Sequence, residues 1–274
     1  MDVTGAIRVA RMSDVGQLRD HNEDAVASDL SIGLVILADG MGGYKAGEIA
    51  SEIAVLMVTA DVTESMHNKQ SRLSVKKAFL PESEMLNEAV EKANAAIYQI
   101  SQAHPQCAGM GTTLVVGVFA DNKLITGHIG DSRMYRLRDK VLTQLTIDHS
   151  LIQEQLSSGE ITPAQAKESN NKNLVTRALG IDPEVPLELH QHEVQIGDTY
   201  LLCSDGLTEM VNDEEICIML LEAGANVDRA SVNLIRFANE KGGKDNISVV
   251  VANVKRDFSS KNRWVKRLLG NIEK

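Results

Sequence analysis

The chain has 274 residues and a formal net charge of −10, so it has room for a substantial core and is a poor general binder of nucleic acid. Aromatic residues make up only 3%, which leaves an aliphatic core with methionine as filler. There is no apolar run of membrane-spanning length and no signal peptide, and three cysteines without metal spacing (Cys107, Cys203, Cys217) read as reduced thiols, so a cytoplasmic protein is expected.

Residues 1–38 read as strands. Ala6–Ala10 alternates, and Ser31–Ala38 is a short, branched apolar run suited to a buried strand. Between them, Ser13–Asp24 crowds Arg19 among Asp14, Asp20, Glu23 and Asp24. That is either a solvated loop or a site, in which Arg19 offers a planar fork to a phosphate and Glu23 and Asp24 offer hard oxygens to a cation. The apolar run then delivers Asp39 into Gly40-Met41-Gly42-Gly43, ahead of a helix start near Ala46. Asp-Gly alone is a turn. Two nucleotide-binding patterns fail here: Glu48 follows Gly47 where a phosphate loop needs lysine, and Lys45 replaces the third glycine of a dinucleotide loop.

The spacing predicts a helix with Ile49, Ile53, Leu56, Met57 and Ala60 on its apolar face, a polar connection over 61–82, and a second helix over Ser83–Ser101. Gly111–Ala120 and Lys123–Gly130 form a hairpin about Asp121-Asn122, and Gly130-Asp131-Ser132-Arg133 follows it. Residues 148–180 read as a helical insertion: one helix capped by Asp148-His149-Ser150, another opened by Thr162-Pro163, and a short third over Leu174–Leu179 stopped by Gly180. A strand over Thr199–Ser204 ends in Asp205-Gly206, helices follow at about 213–223 and 227–241, and Asp245-Asn246 opens a last strand.

Asp39, Asp131, Asp205 and Asp245 each stand where an apolar strand meets a glycine-containing turn. Side by side and unpaired, four carboxylates repel and raise one another's pKa values; a divalent cation removes that cost. The candidate ligands are hard oxygens, which favours Mg²⁺ or Mn²⁺ over zinc. Two such ions can activate a water toward phosphorus while Arg19 holds the phosphoryl oxygens. The residue types demand a cation, not one particular reaction.

These pieces, taken in order, resemble the metal-dependent protein phosphatase (PPM, type 2C) family in its bacterial serine/threonine branch. The match rests on Ser13…Gly16…Arg19…Asn22-Glu23-Asp24, Ala38–Gly43, Gly111-Thr112-Thr113 and Gly130–Arg133. It continues through Asp148-His149-Ser150, Thr176–Gly180, Ser204–Leu207 and Asp245-Asn246, and covers about residues 5–254. The resemblance implies an α+β fold, a four-layer α-β-β-α sandwich of two antiparallel sheets flanked by helices. It implies one domain over 1–254 with a flap at about 150–180; the basic tail over 255–274 lies outside the resemblance. It also implies that Asp39 bridges two Mn²⁺ or Mg²⁺ ions, that the Gly40 carbonyl and Glu23 serve one, and that Asp205 and Asp245 hold the other. Asp131 with Asp205 would take a third ion, and Arg19 the substrate phosphate. Asp24 and Asn246 stand as supporting groups around the ligands. The implied reaction is hydrolysis of phosphoserine and phosphothreonine by a hydroxide bridging two metals, reversing a serine/threonine kinase. Alternatives are a catalytically silent binding module of the same fold, or a phosphatase dedicated to one regulator. Met41 stands where many eukaryotic members place a histidine, so the general acid is unassigned.

Other phosphatase chemistries do not fit. None of the three cysteines is followed six residues later by arginine, and Gly130-Asp131-Ser132-Arg133 lacks the histidine of the other metallophosphatase class. His190 and His192 read as a solvated strand face, and His149 as a hydrogen-bonding residue of the flap. The tail carries seven Lys/Arg against two acids, with Trp264, Val265, Leu268 and Leu269 on one helical face. It reads as a short packed helix or frayed end, with docking to a membrane surface or an acidic partner as the alternative. A monomer is expected.

Overall fold

The computed structural model describes residues 2–43, 45–71, 82–169 and 174–259. Eleven strands form two antiparallel sheets among these residues. One sheet has the order β1 (Ile7–Asp14), β11 (Ile247–Val254), β10 (Thr199–Cys203), β7 (Arg133–Arg138), β8 (Val141–Gln144). The other has the order β2 (Asp24–Asp29), β3 (Leu34–Met41), β5 (Leu114–Ala120), β6 (Lys123–Ile129), β9 (Glu188–Glu193), with the two-residue β4 (Gly111–Thr112) paired to the end of β3.

The period of two along each strand sorts its side chains into layers. In β3, Val35 and Leu37 enter the core between the sheets, where they meet Val115, Phe119, Tyr200, Leu202 and Val250. Leu34, Ile36 and Ala38 face the other way, onto α1 (Ala46–Ser71) and α2 (Glu82–Ala103). The outer face of the first sheet is covered by α6 (Asp213–Ala223) and α7 (Val227–Glu240) through Leu201, Val249, Val251, Leu220 and Leu234. The result is the four-layer α-β-β-α sandwich that the resemblance implies. Cys107 and Cys203 are buried, Cys217 is half-buried, and all three are free thiols.

Three expectations need correction. First, α1 does not end near residue 60 but runs to Ser71, because Val62 and Met66 carry its buried stripe on through the polar stretch. Second, that stripe is Ala50, Ala54, Val58, Val62 and Met66; the expected Ile53 and Met57 pack partly against the same core, while Ile49 and Leu56 are 38% and 68% exposed and Ala60 is exposed too. The helix lays its small residues on the sheet and turns two large ones outward. Third, Leu174–Leu179 is extended rather than helical. Its partners are distant in sequence: Leu151 N donates to Leu174 O (2.9 Å), Thr176 N to His149 O (2.8 Å), and Leu179 and Thr112 exchange bonds of 2.9 and 3.1 Å. The other two helices of the insertion are present, as α3 (Leu151–Ser158) capped by Ser150 and α4 (Pro163–Glu168) opened by a Thr162–Gln165 capping box. Between β10 and α6 a single turn, α5 (Asp205–Thr208), completes the seven α-helices of the described residues. The tail assigned to 255–274 lies outside the described residues beyond Ser259, as does the loop at 170–173.

Candidate metal centre and phosphate site

The cleft lies at the end of the sandwich where β2 and β3 meet the loops before β11 and after β10. Asp24 and Asp39 are cross-strand partners in the β2–β3 register. The main chain beyond Asp39 is held by Thr113, whose N donates to Asp39 O (2.8 Å) while Asp39 N donates to Thr113 Oγ1 (3.0 Å). Gly40 is required by packing: its N donates to Glu23 O (3.1 Å), and a Cβ there would collide with the Gly47 carbonyl. A Cβ on Gly47 would in turn stand 2.6 Å from Glu23 Oε2. The two glycines let the α1 entrance close onto the Asp39 turn and Glu23.

Asp205 opens α5 directly after β10. Asp245 precedes β11 and accepts from Arg19 Nη2 at 2.6 Å. Burial opposes the charge on Arg19, but the bond to Asp245 and the fields of Glu23 and Asp205 outweigh it and raise the Arg19 pKa. Asn246 is a three-way clamp: its Nδ2 donates to Val15 O and His21 O (3.0 Å each), and its Oδ1 accepts from Glu23 N (2.8 Å). The loop carrying Arg19 and Glu23 is thus fastened to the strand carrying Asp245.

The electrostatics are those of a set short of positive charge. Burial raises Asp39 well above the usual carboxylate range, and Asp24, Asp205, Asp131 and Asp245 push it further. Asp205 is raised likewise by burial and then by Asp131 and Glu209. Burial lifts Asp131 to about 6, helped by Asp148; Arg133 works against this, but its guanidinium is held by Asp148 at 2.6 Å. Burial lifts Asp24 to about 6 as well, although the neighbouring hydroxyls of Ser248 and Ser204 favour its charged form. Ser204 Oγ donates to Asp24 Oδ2 (2.9 Å), and Asp24 Oδ1 is buried with no protein partner. Repelling carboxylates, an orphaned carboxylate oxygen and hard-oxygen donors fit divalent cations of the Mg²⁺/Mn²⁺ type. All seven residues expected at the site (Arg19, Glu23, Asp39, Gly40, Asp131, Asp205 and Asp245) come to this end of the molecule, as do Asp24 and Asn246.

Sequence reasoning missed the hydroxyls that brace the acids: Ser204 on Asp24, Ser248 Oγ on Ser13 Oγ (2.7 Å), and Thr113 Oγ1 with Ser132 Oγ (2.7 Å). Their only signal was position, each standing next to a strand end or beside a candidate aspartate. A second cluster, His128, His149 and Glu188, also brings donor atoms within 4.8 Å of one another. Three of its four imidazole nitrogens are already engaged. His149 Nδ1 accepts from Gly130 N (3.1 Å), His149 Nε2 faces Glu188 Oε2 (3.2 Å), and His128 Nε2 donates to Ile147 O (2.7 Å). Arg177 Nη1 stands 3.4 Å from His149 Nε2, an unfavourable neighbour for a cation. The two rings stack at 4.5 Å, and burial lowers both pKa values, against the Ile147 carbonyl at His128 and Glu188 at His149. This cluster braces the base of the helical insertion, the role expected for His149.

The chain is similar to known proteins over most of its length. A family model described as Protein phosphatase 2C matches residues 17–244. The chain is 38% identical over 257 residues to the serine/threonine phosphatase stp of Listeria monocytogenes, covering 92% of this chain and 96% of that one. It is 40% identical over 255 residues to the serine/threonine protein phosphatase PstP of Mycobacterium tuberculosis, covering 92% of this chain and 46% of that longer one. A crystal structure of the PstP catalytic domain with two manganese ions superposes with a TM-score of 0.78 at 39% identity, covering 91% of this chain and 99% of that one.

Proposed function

The chain belongs to the protein phosphatase 2C family, and on that premise we propose how its own residues release phosphate from phosphoserine and phosphothreonine proteins. It is a metal-dependent serine/threonine phosphatase, a hydrolase whose cofactor is Mn²⁺ or Mg²⁺. The observation that carries the reading is the cluster of buried and half-buried carboxylates Asp39, Asp205, Asp131 and Asp24, which crowd one another's like charges while Asp24 Oδ1 has no protein partner.

In this reading Asp39, Glu23, the Gly40 carbonyl, Asp205 and Asp245 would hold two ions, and Asp131 with Asp205 would hold a third. When bound, the ions supply an acidified water as nucleophile and neutralise charge on the phosphoryl group. Arg19 binds the phosphoryl oxygens through its guanidinium fork and is aimed by its bond to Asp245. Asn246 holds the Arg19 loop in register with Asp245, so phosphate and nucleophile meet in a fixed orientation. Asp24, tied to Ser204, keeps negative charge behind Asp39 without leaving the strand. Met41 has no acidic proton, so it supplies none to the leaving alkoxide. The substrates are proteins phosphorylated by a serine/threonine kinase, acted on in the cytoplasm by a monomer as part of a signalling cycle.

The test is phosphate release from a phosphothreonine peptide with Mn²⁺, with Mg²⁺, with chelator, and with Asp39→Asn. Metal-dependent release that the substitution abolishes supports the reading. No release with either metal from a folded chain overturns it in favour of a silent module.

A further inference from the structure

Between the edge strand β1 and helix α7 runs a groove of about 450 Å³. Its floor is apolar, formed by Met12, Val232 and Ile235, and Arg236 and Glu240 stand at its rim. Val232 is 48% exposed although it sits beside the fully packed Leu234 and Ile235. One end of the groove is formed by Asp14 and Gln17, two residues before Arg19. That end is tightly built: Gln17 Nε2 donates to Asn239 Oδ1 (3.1 Å), Asn239 Nδ2 to Asp14 Oδ1 (3.0 Å), and Gln17 N to Gly243 O (2.7 Å). The groove and the phosphate-binding arginine therefore share one braced loop.

The strand wall offers more than side chains. β1 pairs with β11 along one edge, and no strand of the described residues pairs with its other edge. An open edge presents a row of N–H and C=O groups to any extended segment that approaches. Arg8 is exposed on the face of β1 that carries Met12, the face turned toward α7, whereas Arg11 lies on the opposite face. Arg8 gives the strand wall a positive charge that attracts an acidic segment and repels this chain's own basic tail, which carries seven basic residues against two acidic ones.

We infer that this groove receives an extended stretch of the phosphoprotein substrate flanking the phosphorylated residue, with one apolar side chain seated over Met12, Val232 and Ile235. The inference rests on the phosphatase reading and assigns part of its substrate selection. Along α7, Val232 to Asn239 spans about 10 Å, the length of roughly three extended residues. With Gln17 two residues from Arg19, the apolar side chain falls about three to five residues from the phosphorylated one.

The experiment compares full-length wild type with Val232→Glu, a substitution at an exposed helix position remote from the acids. Each is assayed with Mn²⁺ on p-nitrophenyl phosphate and on two phosphothreonine peptide series, with and without an apolar residue three to five positions away. The expected result is that wild type prefers the apolar series, and that Val232→Glu lowers kcat/KM on that series about tenfold through KM. Turnover of p-nitrophenyl phosphate stays unchanged, because that compound has no flanking segment. Equal losses on all substrates, or no loss on any, overturn the assignment. The same holds if deleting 258–274 raises peptide turnover in wild type but not in Val232→Glu, which would make the tail the occupant. Absence of metal-dependent turnover of p-nitrophenyl phosphate by wild type would instead defeat the phosphatase reading itself.

Discussion

Asp198 and Asp39 are both strand-end aspartates, and the molecule treats them in opposite ways. Asp198 is 2% exposed and fully partnered: Arg138 Nε and Nη2 donate at 2.7 and 2.6 Å, Gln195 N at 2.8 Å and Tyr200 Oη at 3.0 Å. Asp39 is surrounded instead by Asp24, Asp205, Asp131 and Asp245, and burial with their repulsion raises its pKa. The first arrangement is complete within the protein and holds β7 against the turn before β10. The second is left incomplete by the protein, which is what a receptor for cations requires. A carboxylate's role is thus decided by whether the fold also supplies its counter-charge.

The contrast can be broken most severely at Asp39. Replacement by Asn is expected to lower metal-dependent kcat by roughly 10²–10⁴-fold, the equivalent of several kcal/mol, with the fold intact by circular dichroism. The complementary change is Arg138→Met, which leaves Asp198 buried without its cation. Urea unfolding should show a loss of about 3–5 kcal/mol, while the activity of the fraction still folded is unchanged. If Arg138→Met left stability unaltered, the distinction between a structural and a receptive aspartate would fail.

Smaller effects sharpen the same contrast. Asn246→Asp keeps the shape but loses the donors to Val15 O and His21 O, so the Arg19 loop should loosen. The expectation is a KM rise of about ten- to thirtyfold on a phosphopeptide, with a smaller change in kcat, equivalent to about 1.5–2 kcal/mol. The pH dependence comes last. Asp24 and Asp131, lifted to about 6 in the folded chain, bind protons more tightly there than when unfolded. Without metal, their contribution to stability is therefore greatest below about pH 4 and falls away as pH rises through about 6, by about 1–3 kcal/mol per group. Thermal melts in chelator should decline over that window, and saturating Mn²⁺ should remove the decline. A chelated melt that rises from pH 4.5 to 6.5 would contradict the charge crowding.

The site was more legible than its frame. The four aspartates could be picked out because apolar runs such as Leu34–Ala38 and Thr199–Cys203 announce buried strands, and a carboxylate at the end of one is conspicuous. Register was not legible: nothing local says that Asp24 stands opposite Asp39, since that pairing is set by the β2–β3 hairpin as a whole. The helix misread over Leu174–Leu179 failed for a related reason, as its backbone partners Thr112, His149 and Leu151 are supplied from distant or folded-back chain. β8 was invisible because it is a four-residue edge strand turned by Asp139 and Lys140 at φ 50° and 66°, a conformation their side chains do not advertise. The buried face of α1 was misjudged because close approach to a sheet rewards Ala50 and Ala54, whereas hydropathy alone rewards Ile49 and Leu56.

Asp39 belongs to β3 of one sheet, whereas Asp205 and Asp245 belong to the ends of β10 and β11 in the other. Any cation gripped by both groups is also a rivet between the two halves of the sandwich. Occupancy at one hundred times the dissociation constant would add about 2.7 kcal/mol to the resistance of the whole fold against opening. Scarcity of the ion would then do more than idle the catalyst. It would shorten the polypeptide's survival against proteases, so that supply of the metal governs how much phosphatase a cell keeps as well as how fast each copy works.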